Sequence, residues 1–196
     1  MPLEALEFET GPNPTASIIV LHGLGADGND FVPIAEELRL GAVGPVRFVF
    51  PHATVRPVTI NGGMAMRAWY DLLQTDLVQR EDEAGLRASR LDIEALIARE
   101  RQRGIPASRI VLMGFSQGCA MTLMAGLRHP QRLAGLVALS GYLPLPASLA
   151  AERSEANAGT PIFMAHGSAD SVVVISRAQS SREQLQALAL ASEKVQ

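Results

Sequence analysis

Short apolar runs alternate with longer segments of helical periodicity along this chain, and that alternation constrains the fold more than any other feature. Ser17–Leu21 and Gly135–Leu139 are nearly continuous in apolar character, which is typical of strands buried on both faces of a parallel sheet. Strands that alternate with helices predict an α/β fold with right-handed crossovers. Because the 196 residues show no repeat and no linker-like segment, we expect a single domain over residues 1–196.

The same patterns give approximate boundaries for the individual elements. The predicted strands are Leu3–Phe8, Ser17–Leu21, Val46–Phe50, Met66–Tyr70, Arg109–Met113, Gly135–Leu139 and Pro161–Ala165. The predicted helices are Asp30–Arg39, Glu81–Arg103, Gln117–Arg128 and Ser176–Ala191. Pro51–Gly63 and Gly141–Gly159 contain many turn-forming residues, so we expect irregular segments there.

Composition and charge narrow the classes of function. A net charge of −3 and a pI near 5.8 argue against a nucleic-acid partner. No apolar run approaches the roughly 18 residues that a membrane span requires, so no stable membrane association is expected. Met1–Glu9 carries three acidic residues and no basic one, which argues against a targeting peptide and favours a cytoplasmic location. The single cysteine, Cys119, excludes an internal disulfide and a cysteine-based metal site.

One five-residue motif points to catalysis. Gly114–Gly118 reads Gly-Phe-Ser-Gln-Gly and lies between a predicted strand and a predicted helix. This is the sequence and the context of a G-x-S-x-G nucleophile elbow, a turn that projects a serine hydroxyl above the end of a sheet. The glycines allow the backbone to turn without a Cβ clash. We therefore predict Ser116 as a nucleophile.

A serine nucleophile requires donors for the oxyanion, a general base and an acid that orients the base. The predicted donors are the backbone amides of Gln117 and of Leu24, the latter in the glycine-rich loop that follows Ser17–Leu21. Asp170 follows a predicted strand and comes after the serine, as the α/β-hydrolase order of nucleophile, acid and base requires. An aspartate that only caps a turn is the alternative interpretation of Asp170.

The general base is the missing component. The four histidines are His22, His52, His129 and His166, and all of them precede Asp170, whereas the expected order places the base after the acid. We expect His22 and His166 to be structural hydrogen-bonding groups. His129 is expected to end a helix, and His52 to lie in a loop.

Several segments, taken together, carry a family resemblance. They are Leu21–Asp27, Asn61–Gly63, Trp69–Asp71, Gly104–Pro106, Arg109–Ile110, Gly114–Phe115–Ser116–Gln117–Gly118, Leu133–Gly135, Leu139–Ser140 with Leu143–Pro144, and His166–Gly167 with Asp170. With these segments the chain resembles the acyl-protein thioesterase/carboxylesterase family of α/β-hydrolases, also called the phospholipase/carboxylesterase family. The resemblance implies an α/β-hydrolase fold with a mostly parallel sheet flanked by helices.

The resemblance also implies a chemistry and a set of site residues. It implies hydrolysis of small-molecule carboxylic esters or thioesters through an acyl-enzyme on Ser116, with Asp170 as the triad acid and no metal or cofactor. It further implies that Trp69 and Leu73 line the substrate pocket, although core packing is an equally open interpretation of both. Tyr142 is a candidate neighbour of the site.

The chain departs from the family pattern at two places. Cys119 stands where family members usually have glycine, and we interpret it as a small buried hydrophobe. Family chains also continue with a final strand, a loop that carries the catalytic histidine and a closing helix. We expect most of that segment to be missing from these 196 residues, which would leave the edge at Pro161–Ala165 unpaired, favour a homodimer through that edge, and lower both activity and stability.

Three functions remain open from the sequence. The first is a serine carboxylesterase, impaired because the triad histidine is absent. The second is a lysophospholipase or acyl-protein thioesterase that uses the same residues with a longer acyl groove. The third is a catalytically inactive module that keeps the pocket and binds acyl groups.

Overall fold

A mostly parallel sheet forms the centre of the molecule. The structure is a computed structural model that describes residues 3–74 and 80–188 and the backbone of residues 192–195. Its strands are β1 (Ala5–Glu9), β2 (Ala16–Leu21), β3 (Val46–Pro51), β4 (Val55–Val58), β5 (Met64–Arg67), β6 (Ile110–Phe115), β7 (Gly135–Leu139), β8 (Ile162–Ala165) and β9 (Ser192–Val195). Within these residues, seven strands form one sheet in the order β1-β3-β2-β6-β7-β8-β9, in which β1 alone is antiparallel to its neighbour. The predicted α/β fold is confirmed.

Helices cover both faces of this sheet. They are α1 (Ile34–Glu37), α2 (Glu83–Gln102), α3 (Gln117–Gly126), α4 (Pro146–Glu152) and α5 (Ile175–Ala187). Alternate side chains of β2 belong to two separate buried clusters, since Ile19 packs with α2 and α3 while Val20 packs with Phe48 and Ala35. Burial of β2 on both faces explains why its sequence is nearly continuous in apolar residues.

Three segments differ from the sequence prediction for local reasons. The predicted strand Met66–Tyr70 is β5, which begins at Met64 and ends at Arg67. It pairs in a separate hairpin with β4, which lies inside the stretch Pro51–Gly63 that was expected to be irregular. The second such stretch contains α4, which begins with Pro146, a residue whose missing N–H costs nothing at a helix start. The predicted helix Asp30–Arg39 is a 3-10 turn at Gly28–Phe31 followed by the short α1.

The expectation that β8 has an unpaired edge is wrong. β9 pairs with β8 in parallel, with Ile162 opposite Ser192 and Phe163 opposite Glu193. These backbone hydrogen bonds satisfy the groups that an open edge would offer to another chain. The reason for which a homodimer was predicted through that edge therefore does not hold, and the homodimer itself stays a prediction.

A buried ion cluster joins α2 to the strands β1 and β3. The carboxylate of Glu100 is fully buried and accepts hydrogen bonds from Arg47 at 2.9 Å and from Arg103 at 3.0 Å. Removing one partner from a buried pair leaves the other charge without compensation, which typically costs about 3–5 kcal/mol.

We expect Glu100→Gln to lower the free energy of unfolding by about 3 kcal/mol in urea titrations, because the buried Arg47 then keeps only its ion pair with the exposed Glu9. Glu83→Gln is the matched control, since Glu83 also pairs with an arginine, Arg87, but at an exposed i,i+4 position on the same helix. The free energy of unfolding of the control variant is expected to fall by less than about 1 kcal/mol. Equal losses in the two variants would contradict the importance of burial at Glu100.

Candidate active site

The nucleophile elbow has the strand–turn–helix context that its sequence predicts. Ser116 joins β6 to α3 with φ 55° and ψ −115°, a conformation that non-glycine residues rarely adopt. A Cβ atom at Gly114 would lie 2.1 Å from the carbonyl oxygen of Gly118, and one at Gly118 would lie 2.1 Å from the carbonyl oxygen of Leu21. Both glycines are therefore required by close backbone packing, which places the serine beside the end of β2.

The loop after β2 brings a second backbone amide to the elbow. A Cβ atom at Gly23 would lie 3.5 Å from the Cβ of Ser116, so this loop passes directly beside the serine. The loop is fixed to the β4–β5 hairpin because the amide of Gly25 donates to the carbonyl of Arg67 at 2.9 Å. Within the described chain, neither the amide of Leu24 nor that of Gln117 donates a hydrogen bond. Both predicted oxyanion donors are thus available to a substrate.

The side chain of Gln117 has a structural role that the sequence did not reveal. Its Oε1 accepts from the amide of Trp69 at 2.9 Å, and its Nε2 donates to the carbonyl of Tyr70 at 2.7 Å. The indole of Trp69 in turn donates to the carbonyl of His22 at 2.9 Å. This chain of hydrogen bonds fixes the segment after β5 against the elbow and the oxyanion loop.

A cavity of about 1020 Å³ lies next to Ser116. Its described lining is mostly apolar and comprises Gly23, Leu24, Ala26, Asp30, Phe31, Ile60, Tyr70, Leu72, Phe115, Ser116, Gln117, Tyr142, Ser171, Val172 and Val173. The predicted pocket residues Trp69 and Leu73 do not belong to this lining. Trp69 is buried beneath the site, where its ring packs on that of His22 at 5.2 Å between centroids. Instead, their neighbours Tyr70 and Leu72 reach the cavity.

Asp170 lies in a tight turn whose next three residues line the cavity. Its Oδ1 accepts hydrogen bonds from the amides of Val173 at 3.0 Å and Val172 at 2.9 Å. These bonds lower the pKa of the carboxyl, that to Val173 most, so that the group is ionised at neutral pH. The carboxylate thus meets the charge requirement for a triad acid, while the same bonds also fit a turn cap, the alternative that the sequence left open.

Two histidines beside the site are already used in structural hydrogen bonds. The amide of Ala53 donates to Nε2 of His22 at 3.0 Å, so the proton lies on Nδ1, which donates to the carbonyl of Gly23 at 2.7 Å. Burial lowers the pKa of His22 and keeps it neutral. Nε2 of His166 donates to the carbonyl of Val173 at 2.5 Å and lies 3.6 Å from Oδ2 of Asp170.

The other two histidines do not supply a base either. His52 accepts from the amide of Gly28 through Nδ1 at 3.1 Å. His129 is buried at the C-terminal end of α3, and its burial lowers its pKa. None of the four histidines belongs to the cavity lining that the described residues form.

Cys119 is a packing residue. Burial raises the pKa of its thiol to about 12, so the sulfur stays protonated and is not a nucleophile at neutral pH. A Cβ atom at Gly141 would lie 2.5 Å from the Cβ of Cys119. The glycine at position 141 therefore makes room for a side chain larger than the one that the family usually carries at position 119.

Two further properties concern the described part of the chain as a whole. It contains no group of three or more His, Cys, Asp or Glu side chains arranged to hold a metal ion. Its helices are all too short or too polar to cross a membrane.

The mostly parallel sheet and the serine elbow at the carboxyl end of β6 define the class of the protein, an α/β-hydrolase of the serine type. The comparison with known families makes this assignment specific. Residues 8–196 match the phospholipase/carboxylesterase family, and the chain belongs to that family. It is accordingly an ester hydrolase by descent.

Curated relatives carry a narrower name. The chain is 39% identical over 184 residues to acyl-protein thioesterase 1 of Yarrowia lipolytica, which covers 93% of this chain and 81% of the relative. It is 46% identical over 167 residues to acyl-protein thioesterase 1 of Neurospora crassa, which covers 81% of this chain and 68% of the relative.

Solved structures support the fold. The crystal structure of SOBER1 from Arabidopsis thaliana has a TM-score of 0.86 at 30% identity, over 92% of this chain and 87% of that one. Acyl-protein thioesterase 2 of Zea mays has a TM-score of 0.80 at 28% identity, over 97% of this chain and 90% of that one.

Proposed function

We propose that this protein is an acyl-protein thioesterase, which hydrolyses thioesters of medium or long acyl chains through an acyl-enzyme on Ser116. The observation that carries the proposal is the cavity of about 1020 Å³, mostly apolar, that begins at Ser116. Such a volume and lining suit an extended acyl chain. Curated relatives that cover most of this chain bear the same name, which favours this activity over a general carboxylesterase acting on short esters.

The proposed reaction begins when Oγ of Ser116 attacks the thioester carbonyl carbon. The carbonyl oxygen becomes an oxyanion, which accepts hydrogen bonds from the amides of Gln117 and Leu24. Because Gln117 is the first residue of α3, the positive end of the helix dipole adds to this stabilisation. The thiolate then leaves, and water hydrolyses the acyl-enzyme and regenerates the serine.

Proton transfer requires a base that the described residues do not provide. The serine proton must be removed during attack and returned to the leaving thiolate, the task of the histidine in related sites. In the proposal, Asp170 holds such a ring in the correct tautomer. This role for Asp170 is supported by its neighbours, since residues 171–173 line the same cavity as Ser116.

A series of thioesters and matched oxygen esters with acyl chains from C2 to C16 tests the proposal. We expect kcat/KM to rise with chain length, by up to about 10³-fold between C2 and C8, because each of the six added methylenes contributes about 0.8 kcal/mol when it is buried. The thioester is expected to be the better substrate at every length. Ser116→Ala is the control, and it should abolish both turnover and covalent labelling by a fluorophosphonate.

Each rival predicts a different result in the same experiments. A short-chain carboxylesterase would prefer C2 to C4 oxygen esters, and a lysophospholipase would release fatty acid from lysophosphatidylcholine faster than from thioesters. An inactive acyl-binding module would bind the chains while folded and show no labelling of Ser116.

A further inference from the structure

Two residues that line the cavity beside Ser116 carry a buried pair of hydroxyl groups that the proposed reaction does not use. The hydroxyl oxygens of Tyr70 and Tyr142 lie 2.9 Å apart, and both residues line the cavity although each is at most 3% exposed. They are the two tyrosines of the chain. Apart from the nucleophile Ser116, the other polar side chains of the lining differ from this pair, because Gln117 has both ends of its amide occupied and Asp30 and Ser171 are exposed at the surface.

One hydroxyl hydrogen of the tyrosine pair is not used in the hydrogen bond between the two oxygens. Two phenol groups carry two hydroxyl hydrogens, and one of these forms the bond between them. Among the described residues, neither oxygen has a second hydrogen-bond partner. Burial raises the pKa of both tyrosines, so both hydrogens are retained at neutral pH. The second hydrogen is a buried donor that needs an acceptor, and leaving it unmet is costly.

Both tyrosines are attached closely to the nucleophile elbow. The backbone carbonyl of Tyr70 accepts from the side chain of Gln117, the residue after the nucleophile. Residue 141, next to Tyr142, packs so closely that a Cβ atom on it would lie 2.8 Å from the carbonyl oxygen of Ser116. The backbones that carry the two phenol rings are therefore fixed against the elbow, so the pair is a rigid part of the cavity wall.

We propose that the Tyr70–Tyr142 pair is a polar subsite that selects esters or thioesters carrying a second oxygen, as a hydroxyl or a keto group, in addition to the scissile carbonyl. The inference rests on the proposed function, because it uses the same cavity and the same reacting group. The second oxygen can come from the acyl chain or from the leaving group. Either source presents the same acceptor to the tyrosine hydrogen.

Binding of non-hydrolysable amides tests the subsite independently of turnover. The ligands are N-propyl octanamide, its 3-hydroxyoctanoyl analogue and its N-(2-hydroxypropyl) analogue, with Kd measured by isothermal titration calorimetry. We expect one hydroxylated ligand to bind about fivefold more tightly than the parent, the gain from one net hydrogen bond. The ligand that gains affinity shows whether the subsite binds an oxygen of the acyl chain or an oxygen of the leaving group.

Substitution of the pair supplies the second half of the test. Either hydroxyl alone can still donate its hydrogen, so Tyr70→Phe and Tyr142→Phe are each expected to keep part of the preference. The double variant is expected to bind parent and hydroxylated ligands equally. Ser171→Ala, which removes another hydroxyl from the lining, is the matched control and should keep the preference.

The outcomes separate this subsite from the proposed function. Equal binding of all three amides by the unaltered protein would overturn the subsite while leaving the acyl cavity intact. A preference that survives in the folded double variant would also overturn it. If the double variant does not fold, the preference of the unaltered protein and its reduction in the single variants decide the matter. If no amide binds at all, the acyl-binding site itself is refuted, and the subsite with it.

Discussion

Replacing Gly118 with alanine is expected to destabilise the protein by more than about 4 kcal/mol and to lower Tm by about 10 °C or more. The added Cβ would lie 2.1 Å from the carbonyl oxygen of Leu21 and 2.7 Å from that of His22. Both contacts are with backbone, which no rotamer change can relieve. Helix α3 would have to move away from the end of β2, and Ser116 and the amide of Gln117 would move with it.

Gly159→Ala is the control for the general effect of replacing a glycine. A Cβ atom there would have no neighbour within 4 Å, so we expect a change within about 0.5 kcal/mol. Both variants can be followed by thermal melting with circular dichroism, together with the rate of fluorophosphonate labelling. A Gly118→Ala protein that melts and labels like the unaltered one would show that α3 is not held against β2 by this contact.

The parts of the fold that could be predicted are those whose cause is local. The strands β2 and β7 were readable because burial on both faces requires an apolar side chain at nearly every position. The elbow was readable because its five-residue motif is contiguous in the sequence, although only Gly114 is imposed by the turn itself and Gly118 is imposed by its contact with Leu21. Ser116 therefore lies where the sequence placed it, between β6 and α3.

The parts that could not be predicted depend on contacts between distant residues. The hydroxyl pair joins Tyr70 to Tyr142, and the fit of Cys119 against Gly141 joins α3 to the loop after β7. No local pattern marks either contact. The backbone pairing of β9 with β8 likewise depends on residues about 30 positions apart.

The error at the substrate pocket is a displacement by one residue. Trp69 and Leu73 were predicted to face the pocket, whereas Tyr70 and Leu72 do so. These residues follow the end of β5 in an irregular segment, whose side-chain directions no period of the sequence determines. The amide of Trp69 donates to Gln117 and the side chain of Gln117 donates to the carbonyl of Tyr70, and these tertiary hydrogen bonds fix the segment.

Supplying a histidine to this site is expected to raise kcat/KM by several orders of magnitude. Removing the histidine from a serine hydrolase triad lowers kcat by on the order of 10⁶, and here His22, His52 and His166 are engaged in other hydrogen bonds. The test is a chimaera in which a strand–loop–helix segment, bearing the catalytic histidine that the family resemblance implies, replaces residues 192–196 so that its strand takes the position of β9 beside β8. Turnover of an octanoyl thioester by the chimaera and by the 196-residue chain is the measurement.

The control separates the chemistry of the ring from the stability that extra chain adds. The same chimaera with its appended histidine replaced by alanine keeps the added strand and helix but has no base. Its kcat/KM should return to that of the 196-residue chain, and Ser116→Ala should abolish activity in every form. If the alanine control is as active as the histidine chimaera, the added segment acts through folding alone, and the assignment of Ser116 and Asp170 to a triad is wrong. If the chimaera is folded but its kcat/KM does not exceed that of the 196-residue chain, a histidine does not activate Ser116, and Ser116 is not the nucleophile.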